Sequence, residues 1–80
     1  MSWRVVYEAR AVDQAAACLD DREGLQDVLD VIDRLVVDAR PLGSFPYGSP
    51  DLRRLRIGRY RVLYEINKDV VSIGWIARRS

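Results

Sequence analysis

Apolar and polar positions change rhythm three times along the chain. Trp3–Tyr7 (WRVVY) is a β-branched and aromatic run that reads as a short strand. From about Ala9 to Leu19, Val12, Ala15, Ala16 and Leu19 recur at helical spacing, and the dense alanine permits close approach of another element. Asp20 or Asp21 stands where a second helix needs a cap, and Asp20 followed by Glu23 resembles a capping box. Leu25, Val28, Leu29, Ile32, Leu35 and Val36 then form one apolar stripe, with Asp27, Asp30, Asp33 and Arg34 outside it. Pro41 requires the helix to stop within a few residues before it. The two helices form a helical hairpin.

Residues 41–50 (PLGSFPYGSP) hold all three prolines and two of the five glycines, so they are expected to form the main loop, without a regular element. Alternation then sets in, predicting strands at about Leu52–Ile57, Tyr60–Ile66 and Val70–Ala77. Gly58-Arg59 joins the first two, with Gly at the first central position as a type II′ turn requires. The expected fold is α+β: an N-terminal strand, a helical hairpin and a three-stranded antiparallel meander (β-α-α-β-β-β), with the helices on one sheet face. Length bounds the chain to one domain over residues 1–80.

A two-residue loop at Gly58-Arg59 pairs Ile57 with Tyr60, Arg56 with Arg61, Leu55 with Val62 and Arg54 with Leu63. One face then carries Leu55, Ile57, Val62, Tyr64 and Ile66, and the other Arg54, Arg56, Arg61, Leu63 and Glu65. Two arginines directly opposite repel. That face is either solvated, with Glu65 and Asp51 compensating in part, or an anion site whose bound phosphate removes the repulsion. The last strand decides what joins it. A two-residue loop at Lys68-Asp69 places Val71, Ile73 and Trp75 in the core and Arg78 with the arginines, whereas a three-residue loop selects Arg79. Burial of Trp75 favours the first.

Net charge is only +1, yet it is divided unevenly. Residues 1–40 carry five arginines against nine acids, −4, and residues 41–80 carry seven arginines and Lys68 against three acids, +5. Arginine outnumbers lysine twelve to one, which fits either a GC-rich genome or planar phosphate recognition. The chain has no His, which removes imidazole bases and the commonest zinc ligand, so neither metal nor cofactor is expected. Its single Cys18 cannot form an internal disulfide and reads as a buried, inert thiol. No secretory leader pattern opens the sequence, and no apolar run approaches the roughly 20 residues that span a bilayer. A cytoplasmic protein without membrane contact is expected.

Asp51–Ile66, DLRRLRIGRYRVLYEI, resembles the RelE/ParE superfamily of bacterial type II toxins, which often read LR-hG-xYRhhYxh here, h being hydrophobic. The resemblance covers nearly the whole chain, including the D-x-R-P-x-G-S segment at Asp38–Ser44 and the closing IARR at Ile76–Arg79. It is nearest the RelE branch and implies a toxin that cuts mRNA in the ribosomal A site. Carried over, Arg61 is the arginine of the YR motif, stabilising charge on the scissile phosphate. Arg54 is the basic position before the LR dipeptide and Arg79 the functional arginine of the closing strand, so Arg61, Arg79 and Arg54 are the expected catalytic group. Arg53, Arg54, Arg56, Arg59 and Arg78 are expected to bind RNA. The implied reaction is attack of a 2′-hydroxyl on its adjacent phosphate, giving a cyclic phosphate and a 5′-hydroxyl.

Guanidinium stays protonated and is a poor general base. The family usually adds a Tyr, His, Lys or Glu for proton transfer, often a Tyr in a short tail beyond the point where this sequence stops. Tyr60, Tyr47 and Glu65 are the candidates here. The resemblance also implies a cognate antitoxin, contact with ribosome and mRNA, and room for a toxin–antitoxin complex that binds operator DNA through the antitoxin. Two alternatives stay open: a ParE-like toxin that inhibits DNA gyrase without catalysis, and a decayed, non-toxic member that only binds antitoxin.

Overall fold

The computed structural model describes residues 2–79. Its elements run β1 (Arg4–Tyr7), α1 (Ala9–Ala16), α2 (Arg22–Arg34), β2 (Ser44–Ser49), β3 (Leu52–Ile57), β4 (Tyr60–Asn67) and β5 (Val70–Arg78). The strands form one sheet in the order β1-β5-β4-β3-β2, with β1 parallel to β5 and the other neighbours antiparallel. This is the expected α+β arrangement. Val28 and Ile32 of α2 and Ala11 of α1 share one core with Leu55, Val62, Tyr64, Val71 and Ile73 of the sheet. Burying each large aliphatic chain contributes about 1.5–3 kcal/mol. No helix among the described residues is long and apolar enough to cross a membrane.

The β3–β4 hairpin has the expected register: Ile57 faces Tyr60, Arg56 faces Arg61 and Arg54 faces Leu63. Gly58 has φ +57° while Arg59 does not take positive φ, the combination that separates a type II′ turn from type I′.

Five expectations need correction. Residues 41–50 are not all loop, because Ser44–Ser49 pairs with β3 as an edge strand. An edge tolerates Pro46, since a missing N–H there breaks no ladder, and the register shift between Pro46 and Ser49 lets Gly48 take φ +85°. Helix α1 ends at Ala16, buries Ala11 and half-buries Ala15, followed by buried Cys18 in the turn, leaving Val12 and Leu19 exposed. Small side chains let α1 settle closely on β5. The second helix is capped by Asp21, whose Oδ1 accepts from Gly24 N at 3.1 Å, and not by an Asp20–Glu23 box. Helix α2 closes at Arg34, so Leu35 is buried but Val36 is left outside the stripe.

The fifth correction concerns β5. The loop is the two-residue one, with Asn67 opposite Val70, and Val71 and Ile73 are buried. Tyr64 then faces Ile73 while Leu63 faces Trp75, so Gly74 is an extra residue in the ladder. This bulge inverts the parity of the rest of the strand. Ile76 goes to the core, Trp75 to the opposite face and Ala77 opposite Arg61. Trp75 is 37% exposed, not a core residue.

Candidate functional site

The helix-free face of the sheet gathers the arginines. Arg54 and Arg56 project from β3 and Arg61 from β4, and the inverted parity of β5 brings Arg79 to the same face. Arg79 N donates to Arg59 O at 2.7 Å, tying the end of β5 to the Gly58-Arg59 turn. Arg54, Arg56, Arg61 and Arg79 are exposed, and among the described residues none has a carboxylate within ion-pair distance. A cleft of about 490 Å³ is lined by Tyr47, Arg54, Arg61, Leu63, Trp75 and Arg79. Ala77, small and opposite Arg61, leaves room for the guanidinium groups.

The remaining expected arginines point elsewhere. Arg53 shares the helix-side parity of Leu55, and its guanidinium donates to Ser44 Oγ and Ser44 O, both at 3.0 Å, and to Pro50 O at 3.3 Å. It fastens the edge strand. Arg59 pairs with Asp21 Oδ2 at 3.2 Å. Arg78 stands opposite Tyr60 and donates to both oxygens of Asp20, at 3.0 and 2.9 Å, while its stem reaches the rim of the cleft. Register thus selects Arg79 over Arg78 for the open face.

The three proton-transfer candidates separate just as clearly. Tyr60 is 2% exposed on the helix side, where its hydroxyl donates to Asp21 Oδ2 at 2.9 Å. Burial, then the Asp21 carboxylate, raises its pKa, which makes it a weaker proton donor on a face that Arg61 does not share. Glu65 shares the face of Arg61 but lies beyond Leu63, in a neighbouring cleft with Glu8, Arg10 and Ser72. Tyr47, in the irregular part of β2, is half exposed and lines the arginine cleft. It is the one candidate that the structure brings beside Arg61.

Below that face, a polar network fixes the end of the sheet. Asp21 lies below its ordinary value because Gly24 N, then the Tyr60 hydroxyl and Arg59, donate to its carboxylate. Asp20 is lowered chiefly by the Arg78 hydrogen bond. Both carboxylates therefore stay charged and anchor the turn between α1 and α2 to the one end of the sheet where Arg59, Tyr60 and Arg78 meet.

Aromatic neighbours are the residues that sequence reasoning missed. Phe45 faces Arg54 and is exposed, and Trp75 lies between the arginine cleft and the Glu65 cleft. The signal for Trp75 was Gly74, an isolated glycine inside a strand pattern, which often marks a bulge. Chemically, the cleft offers permanent cations for phosphate, aromatic surfaces for bases and one phenol for proton transfer.

No protein-family model and no curated sequence matches the chain. Solved structures do. The archaeal RelE–RelB complex from Pyrococcus horikoshii is matched with TM-score 0.80 at 25% identity, over 100% of this chain and 98% of that one. The RelBE2 toxin–antitoxin complex of Mycobacterium tuberculosis gives TM-score 0.80 at 21% identity, covering 99% of this chain and 100% of that one. A chromosomal ParDE toxin–antitoxin system from P. aeruginosa gives TM-score 0.81 at 15% identity, covering 99% and 98%.

Proposed function

We propose, from the premise that the chain is a RelE/ParE-superfamily toxin by fold, that it is the toxin of a type II toxin–antitoxin system and cuts ribosome-bound mRNA. One observation carries the finer reading: among the described residues Arg54, Arg56, Arg61 and Arg79 share one exposed sheet face without carboxylate partners, and Arg54, Arg61 and Arg79 line a single cleft with Tyr47. A face that serves only as solvated surface gains nothing from setting Arg56 directly against Arg61. A phosphodiester bound between them removes that repulsion through charge-assisted hydrogen bonds.

In this reading, the 2′-hydroxyl of the bound strand attacks its own 3′-phosphate, the bond to the following 5′-oxygen breaks, and the products are a 2′,3′-cyclic phosphate and a 5′-hydroxyl. Arg61, Arg79 and Arg54 stabilise the charge that develops on the phosphoryl oxygens. Tyr47 relays the proton, since the guanidinium groups stay protonated. A cognate antitoxin is its partner in this reading, as similar solved structures are toxin–antitoxin complexes. The cytoplasm, where ribosomes translate, is the site of action.

The test is cleavage of mRNA on programmed ribosomes, with 5′ ends mapped. Wild type should cut, and Arg61→Ala should lose on the order of 10²–10³-fold in rate. Tyr47→Phe should lose on the order of 10²–10⁴-fold, the range for general acid–base catalysis, with little change in ribosome binding. Absence of cuts, together with growth arrest and inhibited gyrase supercoiling, would replace this reading by the gyrase-directed one. Absence of cuts and of arrest would leave antitoxin binding alone.

A further inference from the structure

Beside the arginine cleft lies a second hollow of about 250 Å³ with a different chemistry. The range of about 300–1,000 Å³ is usual for a whole small-molecule ligand, so this hollow suits a single base. Leu63 and Trp75 line both clefts, so they form the divide between them. Arg10 of α1 donates from Nε to Gly74 O at 3.0 Å and sets its guanidinium over the Trp75 ring, 5.0 Å from the centroid. The indole is thereby held in place while 37% of the residue stays exposed. Two carboxylates, Glu8 and Glu65, line the same hollow, and among the described residues neither is ion-paired. Three arginines lie on one side of Trp75, and on the other two carboxylates outnumber the single guanidinium of Arg10.

We infer that this hollow is a nucleobase subsite, in which one base of the bound strand stacks on Trp75 and offers an amino group to Glu8 and Glu65. The inference rests on the proposed RNA-directed function and adds its base preference. A nucleotide placed with its phosphate among Arg54, Arg61 and Arg79 has its base next to the indole, the only large ring shared by both clefts. Every base has a π-face, so stacking alone holds any of them. Selection comes from the carboxylates, which only accept hydrogen bonds. Adenine and cytosine carry exocyclic amino groups that donate to them. Uracil has none and presents two carbonyl oxygens, which the carboxylates repel. The site therefore favours adenine and cytosine over uracil.

The test uses the full-length protein and three 2′-O-methyl hexanucleotides, A6, C6 and U6, which lack the attacking hydroxyl. Anisotropy of 5′-fluorescein-labelled strands gives affinity, and tryptophan quenching by unlabelled strands reports stacking. Trp3, packed against the core, supplies the constant background. A6 and C6 should bind on the order of tenfold tighter than U6 and quench the fluorescence. Trp75→Leu should weaken A6 by about 5- to 150-fold, the span of base–aromatic stacking, and abolish the quench. Trp75→Phe should keep most of the affinity, which separates loss of stacking from loss of fold. Glu8→Gln combined with Glu65→Gln should weaken A6 and C6, strengthen U6 and so remove the difference between them. Equal binding of the three strands, or Trp75→Leu without effect, overturns the subsite. If Arg61→Ala still weakens all three strands, the RNA-binding reading survives that result. Failure of wild type to bind any strand overturns both.

Discussion

Arg56 and Arg61 stand directly opposite one another on an exposed sheet face, and no described carboxylate relieves them. Like charges in that position destabilise by roughly 0.2–1 kcal/mol. Arg61→Ala should therefore leave the melting temperature unchanged or slightly raised, even as it weakens RNA binding. A clear fall in thermal stability would mean that Arg61 supports the fold and would remove its case as a functional residue. The opposite sign applies to the carboxylates beneath. Asp20 and Asp21 have folded pKa values below the ordinary 3.8 of an aspartate, because Arg78 donates to the first, and Gly24 N, Tyr60 and Arg59 to the second. Their contribution to stability is complete above that unfolded value and is lost as pH falls through the lower folded values. Chemical denaturation should show a midpoint that is flat near neutrality and declines below about pH 4. Asp21→Asn should flatten part of that decline, and an unchanged acid limb in the variant would remove Asp21 as its source.

Helix α2 begins where three of these contacts meet. Gly24 sits one turn from the cap, and a Cβ there would collide with the Asp21 carboxylate and come within 3.0 Å of Tyr60 Cε1. Glycine to alanine in a helix ordinarily stabilises by about 0.5–1 kcal/mol. Here Gly24→Ala should instead destabilise by about 1–2 kcal/mol, because it displaces the cap and with it the Tyr60 hydrogen bond. Thermal melts of Gly24→Ala and Asp21→Ala should show similar losses that do not add in the double variant. The elements themselves show what a sequence exposes to reading. Strong alternation in β3 and β4, with a glycine at the turn, fixed the hairpin register and hence the positions of Arg54, Arg56 and Arg61. Trp75 and Arg79 were less legible, since one extra residue at Gly74 reverses every side chain after it, and an isolated glycine is the only local sign of that reversal. The β2 strand was hidden by Pro46 and Gly48, which an edge accepts and a central strand would not. In α1, close packing chose the small face, Ala11 and Ala15, over the bulkier Val12.

At the scale of the whole molecule, the net charge of +1 describes neither face. The Cα extents are 34 × 20 × 19 Å, so the acidic outer side of α2 and the arginine face are separated by more than the ~8 Å Debye length of physiological salt. An RNA strand on the sheet then experiences the four arginines and little of the helical acids. Counterion release makes the salt dependence of binding a count of those contacts. For single strands, the slope of log K against log salt is about −0.7 per neutralised phosphate, so four arginines predict a slope of about −3. Arg61→Ala should reduce its magnitude by about 0.7. Asp27→Asn and Asp30→Asn, on the outer side of α2, should leave both slope and affinity within about twofold at 0.15 M salt, since screening isolates them. At 0.01 M the Debye length is about 30 Å, longer than the molecule is thick, and the same two substitutions should then strengthen binding measurably. A slope near zero in wild type would contradict phosphate contact by the arginine face. Equal sensitivity to Asp30→Asn at both salt concentrations would contradict the separation of the two fields.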